Sequence, residues 1–201
     1  MLSIFKKKTK QDALKKKINI KYNFNKIGYL LPVGPWILKK KLMINKIAKW
    51  REKNKKFFFF QKKFTFKDLE FYLETFSIKK KDRILFLVYD KTNKLVGHIG
   101  ISNLKQHHCY LDNMIRGEDT KEKYLMLAAE ETILLWALNS LKCKKIFGVL
   151  WEKNILMLKY HKKYGFKIYK KVYEFNQTLN LKMRKIYIVL LKKNFSIICN
   201  N

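Results

Sequence analysis

The sequence predicts an α/β fold in which a mixed sheet is flanked by helices. Three observations favour it: apolar residues change between helical and strand periodicity along the chain, a largely apolar helical stretch lies between two strand-like runs, and the last two strand-like runs are close enough to pair antiparallel. No internal repeat is evident. We therefore expect one domain over residues 26–192, followed by a short tail at 193–201.

The first third of the chain predicts a leader, a strand and two helices. Residues 1 to about 25 are lysine-rich and weakly patterned, so we expect a basic, loosely ordered leader whose removal leaves the fold intact. Lys26–Val33 predicts a first strand, and Lys41–Lys53 and Phe64–Phe76 repeat apolar residues at the spacing of helices. The run Phe57–Phe60 fits core packing best, with a wall of a substrate pocket as the alternative.

The middle of the chain changes to strand periodicity. Ile84–Leu104 has two β-rich runs around a turn-forming cluster and predicts a hairpin. His108–Gly117 predicts another strand and a loop. Lys123–Leu141 is apolar on most of its circumference and predicts a largely buried helix, with Asp119 and Glu122 spaced as a capping pair at its start.

The last third predicts three strands and a short helix. Lys145–Trp151 is nearly free of charge, as expected of a strand that is covered on both faces. Asn154 is a good N-cap, because its side-chain oxygen satisfies amides of the first helical turn, and Gly165 is placed to end that helix in the left-handed conformation. Lys167–Phe175 and Lys185–Lys193 predict two strands that pair antiparallel.

The formal net charge of +31 raises the question of nucleic-acid binding, since clustered cations release counterions from phosphate backbones. Only four of the 46 basic residues are arginine, whereas base-edge and bidentate phosphate recognition favours arginine. The lysines are spread along the whole chain with abundant Asn, Ile and Phe, which is the mixture that an AT-rich genome encodes. We therefore expect a solvated, compositionally biased surface that attracts small anions, and no nucleic-acid partner.

Cysteine and hydropathy patterns bear on the compartment. Cys109, Cys143 and Cys199 are far apart and match no metal-ligand spacing, so we expect reduced thiols and no metal. The first apolar run is too short for a secretory signal, and no uncharged apolar run approaches the roughly 20 residues of a membrane span. We expect a cytoplasmic protein.

The element order and several short motifs resemble the Gcn5-related N-acetyltransferases. The tail pattern of that family is N-x-x-A-x-x-x-Y-x-x-x-G-F, which Asn154, Gly165 and Phe166 match at the same spacing. LVGHIGISNL is similar to the family's third strand, and YLDNMIRG to a D-N-x-x-R-G stretch at its fourth strand. Trp50–Glu52 is similar to the W-R-N that ends the first helix in relatives acting on amino sugars or protein N-termini. The resemblance covers roughly Lys26–Lys192.

The resemblance implies acetyl-coenzyme A as co-substrate. It implies two parallel strands, Cys109–Ile115 and Lys145–Trp151, that splay at one end to admit the pantetheine arm. A backbone amide at Met114 or Ile115 would hold the thioester oxygen as negative charge develops there. The cofactor-binding residues expected from the resemblance are Met114, Ile115, Arg116, Gly117, Lys121, Lys123, Tyr124, Leu125 and Asn154.

The expected cofactor loop departs from the family pattern Q/R-x-x-G-x-G/A. Here the segment is RGEDTKEKYLM, with Gly117 as its one glycine. Backbone amides at a helix N-terminus still favour phosphate. Lys121 and Lys123 add positive charge, whereas three acidic residues of the loop subtract it, so the strength of coenzyme A binding stays open.

The second departure is His161, which occupies the slot where the family has a tyrosine that protonates the departing thiolate. A cationic histidine can also act as this general acid; the alternative is an ordinary residue of an amphipathic helix. Tyr164, nearly one turn on, is a further candidate for the same face. Asp112 on the fourth strand is expected to act as general base or as an anchor for the amine, with His107 and His108 as rivals.

These expectations favour acetyl transfer to a primary amine held by Trp50 and Arg51. The first choice of acceptor is an amino group on a nucleotide-linked sugar, and the second is a protein N-terminus. A different class is a non-catalytic binding module with an acetyltransferase-like fold. A homodimer is left open.

Overall fold

A computed structural model describes residues 2–59, 63–176 and 179–198. The described residues form an eight-stranded sheet with the spatial order β1-β2-β3-β4-β5-β6-β8-β7. Strands β5 and β6 pair parallel, and the other neighbouring pairs are antiparallel. The strands are β1 Ile18–Tyr22, β2 Asn25–Pro32, β3 Ile84–Asp90, β4 Leu95–Lys105, β5 His108–Arg116, β6 Lys145–Trp151, β7 Lys167–Asn176 and β8 Leu181–Leu191.

Helices flank this sheet. The α-helices of the described ranges are α1 Lys10–Leu14, α2 Lys41–Lys53, α3 Phe66–Tyr72, α4 Leu125–Asn139 and α5 Ile155–Lys163, and α3 continues as a π-helical turn over Leu73–Ile78. Short 3-10 turns lie at Leu2–Phe5, Pro35–Lys39, Lys55–Phe57 and Lys192–Asn194. Among these described helices, none is long and apolar enough to cross a membrane.

The sheet is covered on both faces. All seven residues of β3 are buried. Phe86 and Val88 belong to a core with residues of α4, whereas Leu85 and Leu87 belong to a second core with residues of α2 and α3. Because successive side chains of a strand point to opposite faces, one apolar strand contributes to both cores. The mixed sheet between two layers confirms the predicted fold class.

Periodicity located most of these elements. Helix α2 and strand β6 have the predicted bounds, strands β3 and β4 form the predicted hairpin, and β7 and β8 pair antiparallel as predicted. The predicted first strand is present as β2, which is the second strand of the chain.

Asp119 and Glu122 do not cap α4, so that prediction is wrong. The N-cap is Tyr124, which makes no side-chain capping hydrogen bond. Asp119 instead accepts from Arg116 at 2.8 Å, and Glu122 pairs with Lys91 at 2.7 Å. Neighbouring cations compete successfully for the two carboxylates.

The N-terminal residues differ from the loosely ordered leader that the sequence predicted. Strand β1 pairs with β2, and Leu2, Ala13 and Ile20 are fully buried. The backbone of Lys7 packs so closely on Gly34 that a Cβ at position 34 would lie 2.4 Å from the Lys7 carbonyl oxygen. The apolar residues here are few and lie in short elements between lysines, which is why no periodic face is visible in the sequence.

The C-terminal tail also contacts the core. Phe195 and Ile198 pack against the cluster around α4, and the Ile198 amide donates to Glu131 Oε2 at 2.6 Å. The Asn194 carbonyl approaches Gly165, whose φ of +92° ends α5 as predicted.

We expect Ile20→Ala to lower the free energy of unfolding by about 2–5 kcal/mol, because it removes a fully buried side chain from the core. Phe24→Ala, at a residue with 78% of its surface exposed, is the control and should change stability by no more than about 0.5 kcal/mol. Urea denaturation measures both. Deletion of residues 1–20 is the further test. If the unfolding midpoint did not change, the segment would be the loosely ordered leader that the sequence predicted.

Candidate active site

The parallel strands β5 and β6 separate partway along their length. Register pairing stops after Tyr110 and Phe147, although β5 continues to Arg116 and β6 to Trp151. The C-terminal halves of the two strands therefore diverge and leave a gap in the sheet. This confirms the predicted parallel pair that splays at one end.

A bulge in β5 accompanies the separation. Between two register pairs with β4, strand β5 has Asn113 and Met114 where β4 has only Ile99. Asn113 has a φ of +53°, a left-handed conformation in which asparagine is enriched. Such a bulge bends its strand and directs the end of β5 away from β6. Met114 consequently has no register partner in β4 or in β6.

A cavity of about 820 Å³ adjoins this gap. One part of its wall consists of the diverging strands and helix α5, and the other part of an aromatic segment between α2 and β3. The first part includes Leu111–Met114, Gly148–Leu150, Asn154, Met157 and His161; the second includes Arg51, Phe57–Phe59, Phe64, Tyr72, Phe76 and Arg83. A cavity of this size, lined mainly by apolar groups with a few polar ones, is typical of a small-molecule site.

His161 is held at the cavity wall by a buried carboxylate. Its Nδ1 lies 2.5 Å from Oε1 of Glu130, a fully buried residue of α4. Because a carboxylate accepts, Nδ1 carries the hydrogen and Nε2 is left for the cavity. Glu130 Oε2 has no hydrogen-bond partner in the described part of the chain. The pair therefore fixes both the tautomer and the orientation of the ring.

Sequence reasoning missed Glu130. It lies in the helix that was predicted to be largely buried, and glutamate is rarely fully buried without a partner. A carboxylate in such a helix was the available signal, but the sequence does not show that α5 brings a histidine to it.

Asn154 and Tyr164, at the two ends of α5, have different roles. Asn154 caps the helix as predicted, with its Oδ1 accepting from the Met157 amide, and it lines the cavity. Tyr164 is fully buried, and its hydroxyl donates to the Leu127 carbonyl at 2.8 Å. Tyr164 is thus a core residue, and the structure does not bring it to the cavity wall.

Asp112 lies beside the bulge at the polar end of the cavity. Burial raises the pKa of the Asp112 carboxyl, and the Arg83 guanidinium opposes that rise. Nearby, Asn113 Nδ2 donates to the Tyr72 hydroxyl at 2.8 Å, and burial raises the pKa of Tyr72 to about 12. The structure therefore brings Asp112 to the cavity, as predicted, in a setting that strengthens its hold on a proton.

His98 of β4 also lines the cavity, and sequence reasoning did not select it. Its Nδ1 lies 2.6 Å from the Asn113 carbonyl oxygen. Burial lowers the pKa of His98 to about 4, with a further contribution from the charge of Arg51. The ring is consequently neutral at pH 7, with the hydrogen on Nδ1.

The rivals His107 and His108 lie at the other end of β5. His108 pairs with Lys145 where the strands are still joined, and its ring lies edge-on to Phe147. The His107 carbonyl accepts from the Lys144 amide. Both histidines are therefore remote in the strand from the gap at Met114.

Trp50 and Arg51 point to different places. The Arg51 guanidinium lies in the cavity, 3.2 Å from the ring centre of Phe58. Trp50 instead packs under the loop that follows β5, where a Cβ at Gly117 would lie 1.8 Å from Trp50 Cδ2, and its Nε1 donates to Glu118. Trp50 does not line the main cavity; its contacts with Gly117 and Glu118 support this loop.

Helix α4 begins beside the end of β5. The Ile115 carbonyl and the Met126 sulfur both lie against Gly97. Ile115 and Leu125 are buried, so only their backbone groups can serve a ligand. The Tyr124 ring stacks on Tyr22 of β1 at 4.6 Å.

The charges of the loop before α4 favour an anion. Each acidic residue has a cationic partner: Glu118 pairs with Lys46, Asp119 with Arg116 and Glu122 with Lys91. Lys121 and Lys123 have no carboxylate partner within 4 Å in the described ranges. The expected cofactor residues of this loop therefore surround an uncapped helix N-terminus with excess positive charge.

The phenylalanine run is part of the cavity wall. Phe57, Phe58 and Phe59 line the cavity, and Phe57 is 39% exposed, whereas Phe60 lies outside the described residues. Phe58 also packs against the core around α2 and α3, as the expectation of core packing required, whereas Phe57 and Phe59 belong to neither buried cluster.

We expect acid to destabilise the protein partly through His98. The unfolded state binds a proton near pH 6.5 and the folded state only near pH 4, so the unfolding free energy falls as pH decreases through this interval, by about 3 kcal/mol at most. His98→Gln, which keeps an N–H for the Asn113 carbonyl, should have a shallower decline. Urea unfolding between pH 7 and pH 4 compares them; parallel curves would contradict the buried neutral ring.

Comparison with known proteins identifies the fold. No family model matches the sequence, and no curated protein matches it. Solved structures do match: a GNAT-family acetyltransferase from Bacillus anthracis has a TM-score of 0.68 at 16% identity, with 88% of this chain and 99% of that chain covered.

Two further similar structures are of enzymes whose names state the class of acceptor. The apo form of FdhC, a nucleotide-linked sugar GNAT, has a TM-score of 0.64 at 15% identity over 88% of this chain and 92% of its own. Spermidine N-acetyltransferase from Vibrio cholerae, in complex with CoA and spermine, has 0.65 at 14% identity over 82% and 95%. The chain therefore has the fold of the Gcn5-related N-acetyltransferases, as the sequence motifs suggested.

Proposed function

We propose that the protein transfers an acetyl group from acetyl-coenzyme A to a primary amine. The main support is one geometric feature: the gap between the splayed parallel strands opens into a cavity, and a buried histidine–glutamate pair lies in its wall. The fold of the neighbours is that of acetyltransferases, and one of them was solved with CoA.

The residues present fit coenzyme A. The edges of β5 and β6 beyond Tyr110 and Phe147 are unpaired with each other, so their peptide groups are available to the amides of a pantetheine arm. The uncapped start of α4 offers amides to the phosphates, and Lys121 and Lys123 add charge. Bound there, acetyl-coenzyme A supplies the activated thioester.

In the proposed step the amine nitrogen forms a bond to the thioester carbon, and the carbon–sulfur bond breaks. The nitrogen loses a proton and the sulfur gains one. His161 Nε2 gives the proton to the sulfur, while Glu130 holds Nδ1 and stabilises the imidazolium before the transfer. The acid is thereby oriented in advance.

Two further groups complete this site. The Met114 peptide lies in the bulge without a strand partner, where its amide is a candidate to receive the thioester oxygen as charge develops. Asp112 is the candidate acceptor for the proton of the amine, since burial raises the pKa of its carboxyl toward the range useful for a general base.

For the acceptor we propose an amino group on a nucleotide-linked sugar, with a protein N-terminus second. The similarity to the nucleotide-linked sugar GNAT supports the first. The polyamine of the spermidine enzyme is a poorer model, because Arg51, Arg83 and Lys67 line this cavity and would repel a polycation. Aromatic walls at Phe57–Phe59 suit a flat base or the apolar face of a sugar.

Calorimetry with acetyl-coenzyme A tests the proposal against a non-catalytic adaptor of the same fold. We expect saturable binding, followed by release of free thiol when a suitable amine is added. Absence of binding at millimolar acetyl-coenzyme A would favour the adaptor.

We expect Gly117→Ala to weaken acetyl-coenzyme A binding at least about tenfold, since the added methyl collides with Trp50 and moves the loop before α4. Trp50→Ala in the same chain removes the obstacle. The double variant should therefore bind more tightly than the sum of the two single effects predicts. Strict additivity in calorimetry would mean that the Trp50–Gly117 contact does not position the cofactor loop.

We expect His161→Ala to lower kcat by about 100- to 10,000-fold while acetyl-coenzyme A affinity stays nearly unchanged. His161→Tyr restores the residue common in the family and should recover part of the rate. Glu130→Gln keeps a hydrogen bond but removes the charge, so it should also slow turnover. Thiol release measures all three rates.

Two controls match these variants. Glu131→Gln alters the neighbouring buried glutamate, which binds the Ile198 amide, and Tyr164→Phe removes a hydroxyl that lies in the core. Both should turn over near the wild-type rate. A His161→Ala enzyme with wild-type kcat would assign the proton to water and leave His161 structural.

A further inference from the structure

We propose that Arg51 and Arg83 form a subsite for a diphosphate group of the acceptor, in the aromatic part of the cavity. This inference rests on the proposed function only in calling the ligand an acceptor. The anion subsite itself is inferred from the burial of the two guanidinium groups and from their lack of carboxylate partners.

The four arginines of the chain fall into two pairs. Arg116 and Arg184 each have a carboxylate partner, Asp119 and Glu152 respectively. Arg51 and Arg83 line the cavity and have no carboxylate within 4 Å among the described residues. None of the residues outside the described ranges is aspartate or glutamate. Every acidic side chain of the sequence was therefore available as a possible partner of Arg51 and Arg83.

Each cavity arginine also has a buried donor atom without a partner. Arg51 Nη1 and Arg83 Nε make no hydrogen bond with the described residues, although both atoms are shielded from solvent. Burial lowers the pKa of Arg51 to about 10, so the group is still charged at neutral pH. A charged donor left unpaired in such a place is costly. An anionic ligand in the cavity would balance the charge of the two guanidinium groups.

Aromatic rings hold the two guanidinium groups in place. Arg51 lies 3.2 Å from the ring centre of Phe58, and Arg83 lies 5.9 Å from that of Phe76. Such cation–π contacts favour these positions of the two groups, and Arg83 also has a hydrogen bond with Tyr72. The N–H edge of a guanidinium suits bidentate binding of phosphate oxygens.

The carboxyl groups nearby form no ion pair within 4 Å with either arginine among the described residues. Asp68 accepts from the amide and the hydroxyl of Thr65 in the capping box of α3. Asp112 interacts with both arginines at longer range, and burial raises the pKa of its carboxyl. Two cations in the cavity wall that form no ion pair within 4 Å among the described residues indicate an acceptor with more than one negative charge, which a diphosphate has.

The experiment is calorimetry on the full chain saturated with coenzyme A, so that phosphates cannot enter the cofactor end. The probes are inorganic pyrophosphate, UDP and dTDP, with uridine as the uncharged match and spermidine as the cationic one. We expect at least one diphosphate probe to bind and neither uridine nor spermidine to do so.

Arg51→Met and Arg83→Met should each weaken diphosphate binding at least about tenfold. Arg184→Met, at the arginine paired outside the cavity, should leave it unchanged. Urea unfolding separates loss of binding from loss of folding: removal of a buried unpaired charge should leave the midpoint equal or higher.

The outcomes distinguish this subsite from the proposed function. If coenzyme A binds and none of the three diphosphate probes binds after it, the subsite is overturned and acetyl transfer stands. Binding of spermidine, or equal diphosphate affinity in wild type and both cavity variants, also overturns the subsite. Failure of coenzyme A itself to bind overturns the proposed function, and the diphosphate titrations on the free chain and its arginine variants then decide the subsite alone.

Discussion

The insertion of one extra residue into β5 bends the strand beside the cavity. The parallel ladder with β6 ends at Tyr110, and the bulge at Asn113 and Met114 lies in the part of β5 beyond it. In this region two strand edges are available, a cavity adjoins them, and the Met114 peptide has no ladder partner. The bulge requires a left-handed residue, and asparagine at position 113 meets that requirement with a φ of +53°.

Helix α4 connects the parts of this site. Its first turn lies beside Ile115, its Leu127 carbonyl binds the Tyr164 hydroxyl, and its Glu130 side chain holds His161. Glu130 lies five positions after Leu125, which is about 7.5 Å along the axis. Since both residues are buried, a rigid element sets the distance between the start of α4 and the carboxylate that holds His161.

Sequence patterns predicted the helices and strands well, but they predicted the contacts of individual side chains less well. Long periodic stretches such as α2 and α4 are visible because burial of one face imposes a spacing on apolar residues. The destinations of Trp50, Tyr164 and Phe57 depend on which neighbour occupies the adjacent space, and spacing contains no such information. Motif spacing did place the Asn154 cap correctly, because a cap is a local property.

The N-terminal segment shows a related limit. It contains a short strand, β1, that lies among lysines in the sequence. Ile20 of this strand is fully buried, and Tyr22 stacks on Tyr124 at the start of α4. A segment that looked dispensable thus supports the helix whose N-terminus is expected to meet the cofactor phosphates. Composition misleads here because five-residue strands contribute too few apolar residues to outweigh the surrounding charge.

Lysine and arginine contribute to this protein in different ways. The lysines are distributed over the surface and raise the net charge to +31, which attracts anions of many kinds from solution but selects none of them. Selection requires fixed donors in a desolvated place, where a mispaired group is costly. Arg51 and Arg83 satisfy that condition, because burial and neighbouring aromatic rings restrict their positions. A lysine at either position would have a flexible side chain and would not present donors in a fixed arrangement. The general charge thus accounts for the non-specific attraction of anions, and the two cavity arginines account for the selection among them.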